Sequence, residues 1–413
     1  DESSYLLPSP SLTPDGATGG VNNRFSLTAA AVQSAAAILV VIGLTITFYN
    51  TSHHDGSASS LLGYEMSGNG KKVLKKALNR LGNKYSCMKD DRYSKVTLKR
   101  AYELPYAALF QDQRGQKNYE ASDVTIVGDE VYSVCDNSWA ISRFGKSLLP
   151  FNEENVQVGD PNRVPDDEDS GYEAIFHHEG LFYVVRESVY HGDHEERKFT
   201  PEVGEYHAII EELELSENDY TVVNECRCEF EFEGDSKGFE GAVGFPDEDD
   251  VLYIVGLCEG NHCSESRKND VGNGRVVLMK KSEDPEMTQC IWETVRVVNI
   301  PPSAAFLDYS AIDITQDGRV AITSQEHSAV WLGQAKGIDN GIIDPIGFDF
   351  EVKSKVLQFP KDGGCHTIYC NIEGIHFMND DMLMAVSDKM KSKGRQDFRC
   401  HDKDQSIHAF VIP

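Results

Sequence analysis

The chain has 413 residues, 40% of them apolar and 26% charged, with 39 basic against 67 acidic side chains and a net charge of −28. That balance excludes a phosphate-backbone partner such as nucleic acid, which needs a basic surface. The ordinary share of apolar and aromatic residues excludes a disordered acidic tail, and the length admits two or three domains or one large all-β domain.

Residues 1–24 are a polar tail whose only basic side chain is Arg24. Phe25 to Tyr49 follow without a charge, and their most apolar part is AILVVIGLTITF at 37–48. This is enough to span a bilayer, so 25–49 is predicted to be a transmembrane signal-anchor; a cleaved signal peptide is the alternative. Residues 50–91 hold a Ser/Gly-rich linker (51–70), expected to be flexible coil. A short basic helix comes next, in which Val73, Leu74, Ala77 and Leu81 share one face. It reads as a surface helix or as one lying on anionic lipid. All ten cysteines fall after the apolar segment, which suggests an oxidising compartment and places the main domain in a lumen or the extracellular space.

From residue 92 to 413 the helical period disappears and one strand-turn-strand phrase recurs five times. Its first strands are ASDVTIV (121–127), GYEAIFH (171–177), GFEGAVGF (238–245), DYSAIDI (308–314) and NIEGIHF (371–377). Each is followed by a turn rich in Gly, Asp, Asn or Glu and by a second apolar strand, which is hairpin chemistry. The phase residues Asp123, Glu173, Glu240, Ser310 and Glu373 stand 50, 67, 70 and 63 positions apart. Such a period suits four-stranded propeller blades. The expected fold is an all-β propeller of five blades, with a sixth left open. Pairing of 96–104 with 406–413 would remove an open sheet edge. CRCEFEFE (226–233) alternates strictly and reads as an outer strand.

Inner strands of a propeller line its axis, so the phase residues should form a ring. Four of the five are carboxylates: Asp123, Glu173, Glu240 and Glu373. Carboxylates brought together raise one another's pKa unless a positive charge joins them, and calcium accepts a flexible set of oxygen ligands. Two other readings stay open, hydrogen bonding to the backbone of the next blade and a solvated channel. Four residues past the aligned Tyr132, Tyr183, Tyr253, Ala321 and Met384, at the ends of the second strands, stand Asp136, Glu187, Leu257, Gln325 and Asp388. Arg186, Glu187, His327, Asp388 and Lys389 are expected to converge near the channel mouth, with Glu187, His327 and Asp388 as candidate general acids or bases.

The phrases KGFEGAVGFPDEDDVLYIV (237–255), NIEGIHFMNDDMLMAVSD (371–388) and SGYEAIFHHEGLFYVVRE (170–187) resemble the repeats of phytase-like esterase propellers and of calcium-binding, membrane-associated propellers. The resemblance covers about 92–413 at the level of the repeat. It implies a propeller and favours a metal in the channel; Ser310 departs from the acid such repeats usually carry.

Cys258 to Cys263 and Cys365 to Cys370 share a C-x4-C spacing with a nearby histidine. Local disulfides are expected rather than zinc, whose structural sites use tight pairs in concert. Cys226 and Cys228 share a strand face and are expected to bond different partners. Residues 201–250 carry 17 acids against two bases, a solvated face or a dock for a basic protein. No G-x-S-x-G, phosphate loop, dinucleotide fingerprint or H-E-x-x-H occurs. Two functions remain: metal-dependent hydrolysis of a small phosphoester or carboxyl ester, and a non-catalytic, calcium-stabilised protein-binding module.

Overall fold

The computed structural model describes residues 96–161, 169–190, 206–234, 237–260, 263, 272–282, 290–391 and 398–413. The anchor at 25–49 and the basic helix lie outside the described residues. Among the described residues no helix is long and apolar enough to cross a membrane.

The fold is all-β and of propeller type. Strand β1 (Lys99–Pro105) enters first and belongs to the last sheet; β2 (Ala121–Val127), β3 (Glu130–Cys135), β4 (Ser138–Gly145) and β5 (Val156–Val158) follow and pair in that order into a sheet of their own. The next eight strands are β6 (Tyr172–His178), β7 (Leu181–Tyr190), β8 (Tyr206–Leu215), β9 (Tyr220–Phe232), β10 (Phe239–Pro246), β11 (Leu252–Cys258), β12 (Arg275–Lys281) and β13 (Ile291–Asn299). They form two antiparallel meanders fused at their outer edges, where β13 pairs in parallel with β9 at Ile291–Arg227 and Trp292–Cys228. Then come β14 (Ala311–Ile314), β15 (Arg319–Ser324), β16 (Ala329–Lys336), the small hairpin β17 (Ile338–Asp339) and β18 (Ile342–Ile343), β19 (Asp349–Phe350) and β20 (Lys355–Gln358). The last sheet holds β21 (Ile372–Asn379), β22 (Met382–Ser387) and β23 (Ser406–Val411), with β1 on its outer edge, antiparallel to β23. One sheet thus joins both ends of the domain.

Strands β2, β6, β10, β14 and β21 stand side by side around an axis, each packed on the next and β21 on β2. Apolar side chains fill the spaces between successive sheets. Tyr132 of β3 meets Phe182 of β7 with ring centroids 4.4 Å apart, and Val124 and Val131 share a core with Met384, Val386 and Ile407. The inner strands approach so closely that glycine is required at two contacts. A Cβ on Gly241 would lie 2.8 Å from the Ile312 backbone nitrogen, and one on Gly374 would lie 2.7 Å from the Asp123 Cα.

The alternation read in CRCEFEFE is realised: Cys226, Cys228 and Phe232 are buried while Glu229, Glu231 and Glu233 are exposed. Cys258 bonds Cys263 as its spacing predicts. The expected Cys365–Cys370 bridge is corrected: Cys370, at the entry to β21, bonds Cys400 in the segment leading to β23. The sheet brings these two segments together, and Cys365 is disulfide-bonded elsewhere. Cys226 bonds Cys290 and welds β9 to the start of β13. Cys228 is a buried free thiol, contrary to the expectation of a partner, and so is Cys135.

Candidate functional site

Four inner strands carry a β-bulge at the same point. The register slips between Ala121 and Asp123, Tyr172 and Ala174, Phe239 and Gly241, and Ile372 and Gly374. The extra residues are Ser122, Glu173, Glu240 and Glu373. Ser310, just ahead of β14, occupies the corresponding place, with its N–H bonded to the Thr323 carbonyl at 3.1 Å. A bulge leaves one residue out of the ladder and re-aims its side chain. Here it turns three glutamates into one cavity of about 330 Å³.

Asp123, assigned by sequence to this ring, is one residue past the bulge and points elsewhere. Its Oδ1 accepts the Val124 N–H at 2.8 Å and its Oδ2 the Ile175 N–H at 2.9 Å. It is therefore a staple between β2 and β6, and Ser122 takes its place at the bulge. Burial drives the Asp123 pKa up, against the pull of these two amides. Asp313 works the same way between β14 and β21, accepting the Phe377 N–H at 2.7 Å, and Ser310 donates to the Ile372 carbonyl at 2.9 Å.

A second ring closes the mouth. The residue just past β3, β11 and β22, and Glu187 within β7 where the β6 pairing stops, each send an N–H back to the start of the first strand: Asp136 to the Glu120 carbonyl (3.0 Å), Glu187 to Gly171 (2.8 Å), Glu259 to Gly238 (3.2 Å) and Asp388 to Asn371 (2.9 Å). Gln325 completes the set through the Asp308 carboxylate at 2.8 Å. Counting forward from Tyr253 picks out Leu257 and misses Glu259, because the count ignores where β11 ends.

The cavity is lined by Glu173, Glu240 and Glu373 from the bulges, Asp136, Glu187, Glu259, Gln325 and Asp388 from the second ring, and Asp308, Tyr309, Glu326 and Lys391. Nine carboxylates thus face one lysine. Burial and then the Glu240 carboxylate drive the Glu173 pKa well up; burial and then Glu259 do the same for Glu240, and burial and then Asp388 for Glu373. Burial, then the neighbouring Asp388, lifts Asp136 to about 8. Asp388 is lifted to about 7 by burial, opposed by the Lys389 N–H.

Glu187 and Asp388 therefore reach the mouth as expected, and His327 does not line it. Its Nδ1 lies 3.1 Å from Ser324 Oγ and its ring stacks on Phe306. The correction has a geometric cause, since Gln325 is the residue that the turn delivers to the mouth. Arg186 is held by Glu211 at 3.2 Å and lies over the Trp139 ring, and Lys389 pairs with Glu120 at 3.0 Å.

Glu173 is 8% exposed, and neither it nor Glu240 accepts a hydrogen bond from a described residue. Asp136 Oδ1 is buried without a partner. Among the described residues the one group of three donor atoms within 4.8 Å is Glu212, Cys226 and Cys290, which cannot bind through two disulfide sulfurs. The axial glutamates stand further apart than that, as mutually repelling groups do. Oxygen donors are the kind a hard cation such as calcium takes, but in this arrangement no three axial carboxylates lie close enough together to share one ion.

No family model and no curated protein sequence matches the chain. Solved structures similar to it include xylan beta-1,4-xylosidase from Bacillus halodurans C-125, at 15% identity over 67% of this chain and 50% of that one, with a TM-score of 0.37. The chain spans about half the length of that enzyme. Another is the PQQ-bound aldose sugar dehydrogenase of Streptomyces coelicolor, at 10% identity over 75% and 98% of the two chains, TM-score 0.35. A third is a GH43 beta-xylosidase/alpha-arabinofuranosidase from a compost microbial metagenome, at 10% identity over 70% and 89%, TM-score 0.37.

Proposed function

We propose that the domain is a five-bladed propeller that binds calcium at its axis and hydrolyses a small phosphoester or carboxyl ester. We also propose that 25–49 tethers it to a membrane on the lumenal or extracellular side, where its disulfides are stable. One observation carries the reading: Glu173, more than nine-tenths buried and without a hydrogen-bond partner among the described residues, faces a cavity with eight further carboxylates and one lysine. The Glu173 oxygens open on the cavity rather than on a protein donor and like charges crowd them, so the group is costly to keep ionised unless a cation joins it.

Glu173, Glu240 and Glu373 would hold the ion. Bound there, a divalent cation supplies a Lewis acid for an ester oxygen and lowers the pKa of a bound water. Without it, nine carboxylates repel any anionic ester. Without the ion, Asp388 and Asp136 are lifted to about 7 and about 8; a bound cation would lower both, leaving these two carboxyls as the candidate general base and acid. They stand on the second ring, between the axis and solvent, where water must pass.

The test is turnover of a panel of phosphoesters and lactones by the full chain with calcium. Asp388→Asn should lower kcat by about 10²–10⁴-fold and leave calcium binding intact. A second reading, a non-catalytic module for a basic protein, is favoured by the outer strand β9, which presents Glu225, Glu229 and Glu231 to solvent, with Glu233 exposed just past its end. Calcium binding without turnover of any substrate would select it.

A further inference from the structure

Lys391 is the one base among the twelve residues that line the cavity. It lies beyond the end of β22, where no repeat position calls for a lysine. Its Nζ is 3.7 Å from Glu373 Oε1 and 3.3 Å from Gln325 Oε1, so it touches one member of each ring. Burial opposes its charge, and the fields of Glu373, Asp388, Glu240 and Glu259 together outweigh that and favour the charged form. Of the other lysines near the mouth, Lys389 is engaged further out, with Glu120, and Lys237, which does not line the cavity, pairs with Glu259 of the second ring, each at 3.0 Å.

An ammonium and a divalent cation cannot share these glutamates without cost. Like charges a few ångströms apart repel strongly at the effective dielectric of a protein surface, and the opposing charge here is double. Lysine is suited to yielding, because its ammonium rides on a flexible four-carbon stem. The Lys391 side chain is 48% exposed, so it can leave for solvent without opening a gap in the core.

We propose that Lys391 is a built-in counter-ion that competes with the divalent cation for the axial glutamates and so sets the cation concentration at which the site fills. The proposal rests on the cation reading given above. When calcium is scarce, the ammonium offsets part of the repulsion within the ring; when calcium arrives, it swings outward.

The test compares the full chain with its Lys391→Met and Lys391→Arg variants by calorimetric calcium titration and by melting in chelator and in saturating calcium. Lys391→Met should bind calcium at least about tenfold tighter. It should melt below wild type in chelator, with the gap closing as calcium saturates. Lys391→Arg, which keeps the charge, should follow wild type. Unchanged or weaker calcium affinity in Lys391→Met overturns the proposal, as does an equal loss of melting temperature with and without calcium, the mark of an ordinary ion pair. If wild type binds calcium and Glu240→Gln does not, such a result leaves the cation reading standing. Absence of calcium binding in both wild type and Lys391→Met ends both.

Discussion

Asp123 and Ile175 are joined across two inner strands by a 2.9 Å hydrogen bond from the Ile175 N–H to the carboxylate. That bond separates two roles that a ring of acids would otherwise merge. Asp123 closes β2 against β6, while the glutamates turned by the bulges face the cavity. Asp123→Ala would strand two buried N–H groups at about 1–3 kcal/mol each. Denaturant unfolding should show that loss, while the melting shift produced by calcium stays as in wild type. A vanished calcium response would return Asp123 to the ion.

Glu240→Gln and Glu373→Gln should behave in the opposite way. An ion that binds the folded ring stabilises it by about 2.7 kcal/mol at a hundredfold excess over Kd. Chelator should therefore lower the wild-type melting temperature, and each glutamine variant should blunt the response. Equal chelator shifts in all three proteins would remove the ion from the axis.

The acids at the mouth also fix the sign of the pH dependence. Burial and crowding raise the pKa of Glu173, Glu240 and Glu373 and place Asp388 at about 7 and Asp136 at about 8. The folded state thus binds more protons than the unfolded chain. Their contribution to stability is full below about pH 4, where the unfolded carboxylates are also protonated, and is lost as pH rises through 7 and 8. In chelator, melting scans should show stability falling from pH 5 to pH 8. Calcium, which favours the ionised ring, should flatten the slope, and a rise in stability across this range in chelator would contradict the assignment.

Gly374 carries a steric prediction. A methyl group there would meet the Asp123 Cα at 2.7 Å, a backbone atom that cannot rotate away. Gly374→Ala should cost about 1–3 kcal/mol through forced separation of β21 and β2, read as a lower denaturant midpoint. A Gly128→Ala control faces open space but has φ +63°, so its cost comes from the backbone alone.

The Cys226–Cys290 bond joins strands from two successive meanders. Replacing both by alanine should lower stability by about 2–4 kcal/mol. Peptide mapping without reduction should recover the pairs 226–290, 258–263 and 370–400. Cys135 and Cys228, both buried, should resist alkylation until the protein unfolds.

Periodicity by itself determined the repeat: five strand-turn-strand phrases and the alternation in CRCEFEFE follow from side-chain period and turn chemistry, which are local, and the return of the C-terminal strand to the first one follows from the need to close an open sheet edge. Glu173, Glu240 and Glu373 were legible as a set because they recur in phase. The tertiary structure decided what local pattern cannot hold. A bulge inserts one residue into a strand without any signature in the sequence, so Asp123 moves off the ring and Ser122 onto it. The second ring is set by which N–H returns to the start of the first strand, so it selects Glu259 over the in-phase Leu257 and keeps Gln325, which the phase already picked out, while His327 stays off the mouth. Lys391 reaches the mouth from a segment outside the repeat, and Cys370 finds Cys400 rather than Cys365, because the sheet brings distant parts of the chain closer than their spacing suggests.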